Sequence, residues 1–399
     1  MRKVFLLVIV GMLLSAPMFA AGGGEEEAII RPTLNVSVPW SGEELDQFRP
    51  VVEAFEAQHD VNVRYLTYRA EDLSSVLPAQ FQANQTLADV IFMWDWWIAE
   101  NSRHMVSLDD VWSEFEADII PPSITARGST YGIPFTMVAK PGFWYRQSFF
   151  NEHGLSEPDS WDEFLALLQE IGDIPGVQHP LVSGNGVGWP LTDVTEHFLI
   201  TFGGPELQLD LIEGNVSWRS SRVRRIFADR LIPLLEAGAF GDPVEWTQAV
   251  ELWWDGDYAL YFQGNFITGL VDDPGDLGVF PLPGAEAVVT GPDTFFIPQY
   301  SDQQELAKEF ARYLLSEEAQ QIRAETGGKL VVRGDIDPGL YPEADRAVAE
   351  VVSGMRTTVP DLDDTIGGDW QSEFWDQLKL LWVQPGQLDN VLRRLDEVN

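Results

Sequence analysis

At 399 residues the chain is longer than one hydrophobic core ordinarily serves, so two domains or lobes are expected. A hydrophobic content of 45% with 15 Trp and 23 Phe excludes a disordered class. A net charge of −38 argues against nucleic-acid and anionic-membrane partners, and the absence of cysteine removes disulfides, thiol catalysis and Cys-based metal sites.

In chain order, Arg2 and Lys3 precede an apolar run from Val4 to Leu14 and the small residues Ala20-Ala21-Gly22. This is the pattern of a cleavable secretion signal over residues 1–22, followed by a flexible leader over 23–32. No lipid-modifiable Cys follows, so the mature protein is expected to be soluble and periplasmic.

Thr33 to Val38 alternates as a strand, and Ser41-Gly42-Glu43-Glu44 has the pattern of a capping box opening a helix through Leu45, Phe48, Val52 and Phe55. Val61 to Leu66 reads as strand, Leu73 to Asn84 as helix, Val90 to Met93 as strand. This strand–helix alternation predicts a largely parallel sheet covered by helices. Gly132 to Val138 and Gly142 to Phe150 are extended. Ser160 and Glu163 make a second capping box, and a helix is expected from near Thr192.

Val223 to Leu235 and Trp246 to Trp253 read as helices, Tyr258 to Phe262 as an aromatic strand, and Val279 to Pro283 as extended chain. Ser301 and Gln304 make a third capping box before a helix reaching Ile322. Two helices, around Glu373 to Trp382 and Gln387 to Val398, end the chain.

Aromatic rings beside polar groups recur where strands end, at Trp40-Ser41, Met93-Trp94-Asp95-Trp96-Trp97, Trp144-Tyr145 and Gly188-Trp189-Pro190. Open α/β sheets present their ligand crevice at such ends. Rings with carboxylates and amides suit a ligand with apolar C–H faces and hydroxyl edges, that is, a sugar.

Four segments carry a resemblance to a known family. They are Leu34 to Glu56 with Ala88-Asp89-Val90-Ile91-Phe92; Tyr131-Gly132-Ile133-Pro134-Phe135 with Phe143-Trp144-Tyr145; Gly188-Trp189-Pro190-Leu191; and Phe295 to Leu315. Taken in order, the chain resembles the extracellular solute-binding proteins of carbohydrate ATP-binding-cassette importers, the group that includes maltose-binding protein.

The resemblance implies an α/β fold of two lobes, each a mostly parallel sheet flanked by helices, with ligand in the cleft and hinge closure around it. It implies an N-terminal lobe of 33–138 plus 284–334 and a C-terminal lobe of 139–283 plus 335–399. The implied function is capture of a mono- or oligosaccharide, a disaccharide favoured, for the membrane permease subunits of an importer. The protein would be a monomer, without cofactor or catalysis.

Trp40 follows the first strand, at the family's first ligand loop, and is equally compatible with a ring in the lobe core. Ser41 stands beside it, although helix capping also explains Ser41 and Glu44, leaving Glu43 free to face the cleft. Asp95 stands where the family often holds a sugar-binding acid; its alternative is a helix N-cap. Of the tryptophans around it, Trp96 is the expected cleft ring. Tyr145 aligns with a family Tyr near the hinge. Asn185, Trp189 and Asp193 mark the second lobe's ligand loop. Asn265 and Phe266 occupy a Gly-x-Trp-like loop, with Phe266 where Trp is common. Asp293, Arg333 and Trp370 complete the set, the first two being equally compatible with surface ion pairs.

Two rivals from other classes remain. Acids and Trp rings also suit a polyamine or other cationic solute, and paired carboxylates in an aromatic cleft suit a glycoside hydrolase. No metal is expected: the five histidines lack chelating spacing, and Asp361-Leu362-Asp363-Asp364 reads as a solvated acidic loop rather than a calcium loop.

Overall fold

A computed structural model describes residues 31–185 and 188–398, without the Glu43 side chain. The predicted signal and nearly all of the leader lie outside the described residues.

The first sheet has eight strands. Its main path runs Leu330–Val331, Ser129–Lys140, Ala287–Phe296, Val90–Phe92, Thr33–Val38, Asn62–Thr67. Thr33–Val38 lies parallel to both Asn62–Thr67 and Val90–Phe92, as the strand–helix alternation predicts. The long strands Ser129–Lys140 and Ala287–Phe296 are antiparallel to each other, and the latter is antiparallel to Val90–Phe92. The sheet is therefore mixed rather than mostly parallel. Helices Glu43–His59 and Gln304–Leu314 cover it, burying Phe48, Phe55 and Phe310 with Phe92, Phe135 and Phe295.

A second sheet of four strands runs Leu277–Phe280, Gly142–Arg146, Tyr258–Gln263, His179–Val182, and only its last pair is parallel. Its largest core joins Phe143, Leu260 and Phe262 to the helix Trp189–Gly203 and to the C-terminal helices Gly368–Val383 and Leu388–Val398.

The chain passes from the first sheet to the second between Lys140, which pairs with Val289, and Gly142, which pairs with Gln263. Gly142 has φ 147°, and a Cβ there would lie 2.1 Å from the Phe280 carbonyl oxygen. Only glycine fits this crossing. Thr357–Pro360 returns to pair with residues 287–290, so the C-terminal segment touches the first sheet as well.

Several local expectations change. The helix Glu43–His59 is capped at Gly42 (φ 55°) with no side-chain cap, so Ser41 is no capping residue. Ser301 hydroxyl accepts from the Gln303 amide and donates to Asp89, tying a loop to the sheet rather than closing a box with Gln304. The Ser160 box is half realised: its hydroxyl accepts from the Glu163 amide, while Glu163 reaches the Asp159 amide. The extended reading of 142–150 stops at Arg146, and Gln147–His153 is helix. The helix expected from Thr192 begins at Trp189, because Pro190 suits a first turn whose N–H groups have no helical partner anyway.

Candidate ligand-binding cavity

A cavity of about 270 Å³ opens between the two sheets. Its first wall rises from the ends of the parallel strands, where Trp40 follows Thr33–Val38 and Met93-Trp94 follow Val90–Phe92. Trp40 is 5% exposed, locked edge-on against Phe48 at 5.1 Å and tilted against Phe92 at 4.8 Å. Lys329 Nζ stands 5.0 Å from the centre of the Trp40 ring and donates to Asp293 at 2.9 Å. Asp293 also accepts from Thr136 Oγ1 at 2.5 Å. Glu44, 4.0 Å from Lys329, is pushed up by burial against the pull of that cation.

The second wall is aromatic and acidic. Trp189, Trp246 and Phe266 meet at centroid distances of 5.4, 5.9 and 6.1 Å, two of the three contacts edge-to-face. Trp375 completes it, its indole N–H donating to Asp363. Gly188 (φ 128°) lets the backbone before Trp189 pass so close that a Cβ would lie 2.4 Å from the Trp375 Cβ.

Between the walls lies Lys140, hydrogen-bonded to both Asp193 and Asp361. Burial alone would depress this lysine, but Asp193, Asp361, Glu196 and Asp363 hold it well above its ordinary value. Burial raises Asp193 to about 6 despite Lys140. Burial pushes Asp361 up, but Lys140, Asp363 and the Asp364 amide together hold it below the usual carboxylate range. Asp363 and Asp364 are held well above that range by burial and by the charge of Asp361.

Carboxylate oxygens of Asp193, Glu196 and Asp361, and of Asp361, Asp363 and Asp364, come within 4.8 Å of one another. In the first group the Lys140 ammonium already joins Asp193 to Asp361. The acidic loop predicted as solvated is thus buried: Asp361 and Asp363 are 4% and 1% exposed, and all three acids line the cavity.

Of the residues singled out in the sequence, Trp40, Trp189, Phe266 and Asp293 line the cavity. Asp193 lies directly behind it on Lys140. Asp95 is beside the wall without lining it. It opens the helix Asp95–Asn101 as its first residue, not its cap, and burial with nearby Asp293 raises its carboxyl to about 6. Trp96 gives way to Trp94, which lines the cavity; the two rings stack at 5.8 Å, and Trp96 lies against Gly367.

The other residues are placed elsewhere. Ser41 is exposed, off the cavity wall. Tyr145 stacks on Phe150 at 3.9 Å and donates to Glu157 at 2.6 Å, because its strand turns that face outward. Asn185 pairs with Glu245 in a two-stranded sheet. Asn265 is fully buried and accepts from the Ala139 amide at 3.1 Å, a contact at the crossing. Arg333 pairs with Asp335 and Asp118. Trp370 is core, against Trp218 at 5.4 Å and Phe374 at 4.8 Å. The Glu43 side chain lies outside the described residues.

Residues the sequence did not single out include Trp94, Trp246, Trp375, Lys140, Lys329 and the acids Asp361, Asp363 and Asp364. Lysine is scarce, five in the chain, and two of the five line this one cavity. That scarcity was the available signal.

Residues 40–321 match the model of the bacterial extracellular solute-binding protein family. An uncharacterized ABC transporter extracellular-binding protein of Pyrococcus horikoshii is 50% identical over 414 residues, covering 100% of this chain and 98% of that protein. Among solved structures, the bacterial solute receptor AcbH, described as having an exclusive preference for β-D-galactopyranose, superposes with a TM-score of 0.83. It shares 16% identity over 92% of this chain and 98% of its own. Maltose-bound MalE3 of T. maritima superposes with a TM-score of 0.79 at 19% identity, covering 92% of this chain and 98% of its own. At such identities the likeness is one of fold, the two-lobed α/β architecture.

Proposed function

Because the chain belongs to the bacterial extracellular solute-binding protein family, as an extracytoplasmic receptor of an ABC transporter, we propose that its solute is a sugar. The ligand is held between the lobes and released to the membrane permease. Binding occurs without chemistry. The lobes we propose are 33–138 plus 284–334 and 139–283 plus 335–399, joined by crossings such as that at Pro141.

One observation carries this reading: indole rings from both lobes share one cavity with carboxylates. Rings pack on the C–H faces of a sugar, and carboxylates accept from its hydroxyls. Receptors for β-D-galactopyranose and maltose share the fold, which supports the same solute class here. The cavity, about 270 Å³, is near the small end of the roughly 300–1,000 Å³ usual for small-molecule sites. It favours one or two sugar rings over a long oligomer, and the two aromatic walls favour a disaccharide.

Ligand bound only by the folded state must raise the melting temperature by mass action. Thermal unfolding and intrinsic Trp fluorescence against mono-, di- and trisaccharides, with spermidine included, test the proposal. A saturable shift with one sugar class is expected. A response to spermidine alone would replace the sugar with a polyamine.

A further inference from the structure

The cations on the cavity wall pair with Asp361 and Asp293, and none of them pairs with Asp363 or Asp364. Lys140 is engaged by Asp193 and Asp361, and Lys329 by Asp293 at 2.9 Å with Glu44 at 4.0 Å. Arg69 is exposed, and its charge acts on Glu71 and Glu245.

Asp363 and Asp364 receive neutral donors instead. Thr192 Oγ1 reaches Asp363 at 2.9 Å, the Trp375 indole N–H reaches the same carboxylate, and Gln371 Nε2 reaches Asp364 at 2.7 Å. Directly behind them, Asp193 Oδ2 and Glu196 Oε1 belong to fully buried side chains, and neither oxygen has a hydrogen-bond partner. Buried carboxylates are ordinarily paired with a cation. Here Asp363 and Asp364 line a cavity with neutral donors and no lysine on their oxygens.

Resting on the sugar-binding reading, we propose that the preferred ligand is a sugar bearing a basic nitrogen, its ammonium group set against Asp363 and Asp364 beside Trp375. An ammonium has three donors and no acceptor, and unlike a hydroxyl it carries the charge that favours the ionised, acceptor-only form of a carboxyl group. Its hydrogen bonds to carboxylate are charge-assisted, about twice as strong as neutral ones. An indole beside the cation adds cation–π attraction. Burial and Asp361 hold Asp363 and Asp364 well above the usual carboxylate range, so an arriving ammonium also stabilises the charged form that burial disfavours. The remaining rings serve the C–H faces of the same sugar.

The test is calorimetric titration of the protein at fixed salt with matched pairs: glucosamine and glucose, galactosamine and galactose, chitosan disaccharide and cellobiose. Within at least one pair the amine should bind about tenfold tighter or more. Asp364→Asn, isosteric and checked for a ligand-free melting temperature that is not lowered, should bring that ratio towards one. Asp363→Asn serves if the first variant is poorly folded.

Equal or tighter binding of the neutral member in every pair overturns the inference and leaves the sugar reading standing. So does an amine preference that survives both substitutions. Binding of spermidine with no binding of any sugar overturns both.

Discussion

Lys140 and Asp193 form a buried ion pair between the two cores: the lysine ends a strand of the first sheet, and the aspartate sits on the helix Trp189–Gly203 of the second core. Asp361 holds the same ammonium from the segment that follows strand Thr357–Pro360. One cation therefore ties three separated stretches of chain at the floor of the cavity.

Removing that cation should be costly. Lys140→Met leaves two buried carboxylates without their partner, and breaking a buried pair from one side typically costs about 3–5 kcal/mol. Urea unfolding of the ligand-free protein measures it. Adding Asp193→Asn should recover part of the loss. A single-variant cost below about 1 kcal/mol would show that the pair does not hold these three stretches together.

Asp95 makes stability depend on pH. Its carboxyl, raised by burial from 3.8 to about 6, binds its proton more tightly folded than unfolded. The contribution is complete below pH 3.8 and lost as pH rises through about 6. At about 1.4 kcal/mol per pH unit, Asp95→Asn should stabilise the protein by roughly 2–3 kcal/mol at pH 7. It should do almost nothing at pH 3.5. Melting temperatures of both proteins across that range decide it; a gain independent of pH would rule out this cause.

Two tryptophans should answer substitution in opposite ways. Trp189→Ala removes a cavity ring and should weaken sugar binding about tenfold or more, with a modest effect on folding. Trp370→Ala empties a site packed by Trp218 and Phe374 and should cost about 3–5 kcal/mol of stability. Titration and chemical unfolding of both variants, side by side, would expose a reversed assignment.

Gly188→Ala should act on Trp375. The new Cβ has no room, and φ 128° is unfavourable for any side chain. Displacement of the Trp375 ring removes the N–H held on Asp363. Ligand affinity should fall about tenfold, and the tryptophan emission of the ligand-free protein should change. Unaltered affinity and emission together would mean that the two segments separate easily.

Much of the fold was legible because its signals are local. Strand Thr33–Val38 was predicted residue for residue, and Phe164, Leu167, Leu168 and Ile171 give helix Trp161–Gly172 an apolar face that can be read by eye. Mixed pairing was not legible, since Ala287–Phe296 reaches its neighbours Val90–Phe92 and Ser129–Lys140 across long separations.

The cavity was legible where an aromatic follows a strand, as at Trp40, or opens a helix after glycine, as at Trp189. It failed where neighbours differ only in direction: Trp94 rather than Trp96, Trp375 rather than Trp370. A run of four residues with three acids looks solvated in one dimension. Its burial depends on Lys140, more than two hundred positions earlier.

The central place of Ala287–Phe296 in the first sheet bears on the order in which the protein can be made. That strand lies between Ser129–Lys140 and Val90–Phe92, so two stretches completed early have no shared partner until residue 296 has left the ribosome. The shortest contiguous stretch that holds the whole sheet runs from residue 33 to residue 360. For a receptor that works beyond a membrane, late closure keeps the growing chain threadable through most of its synthesis.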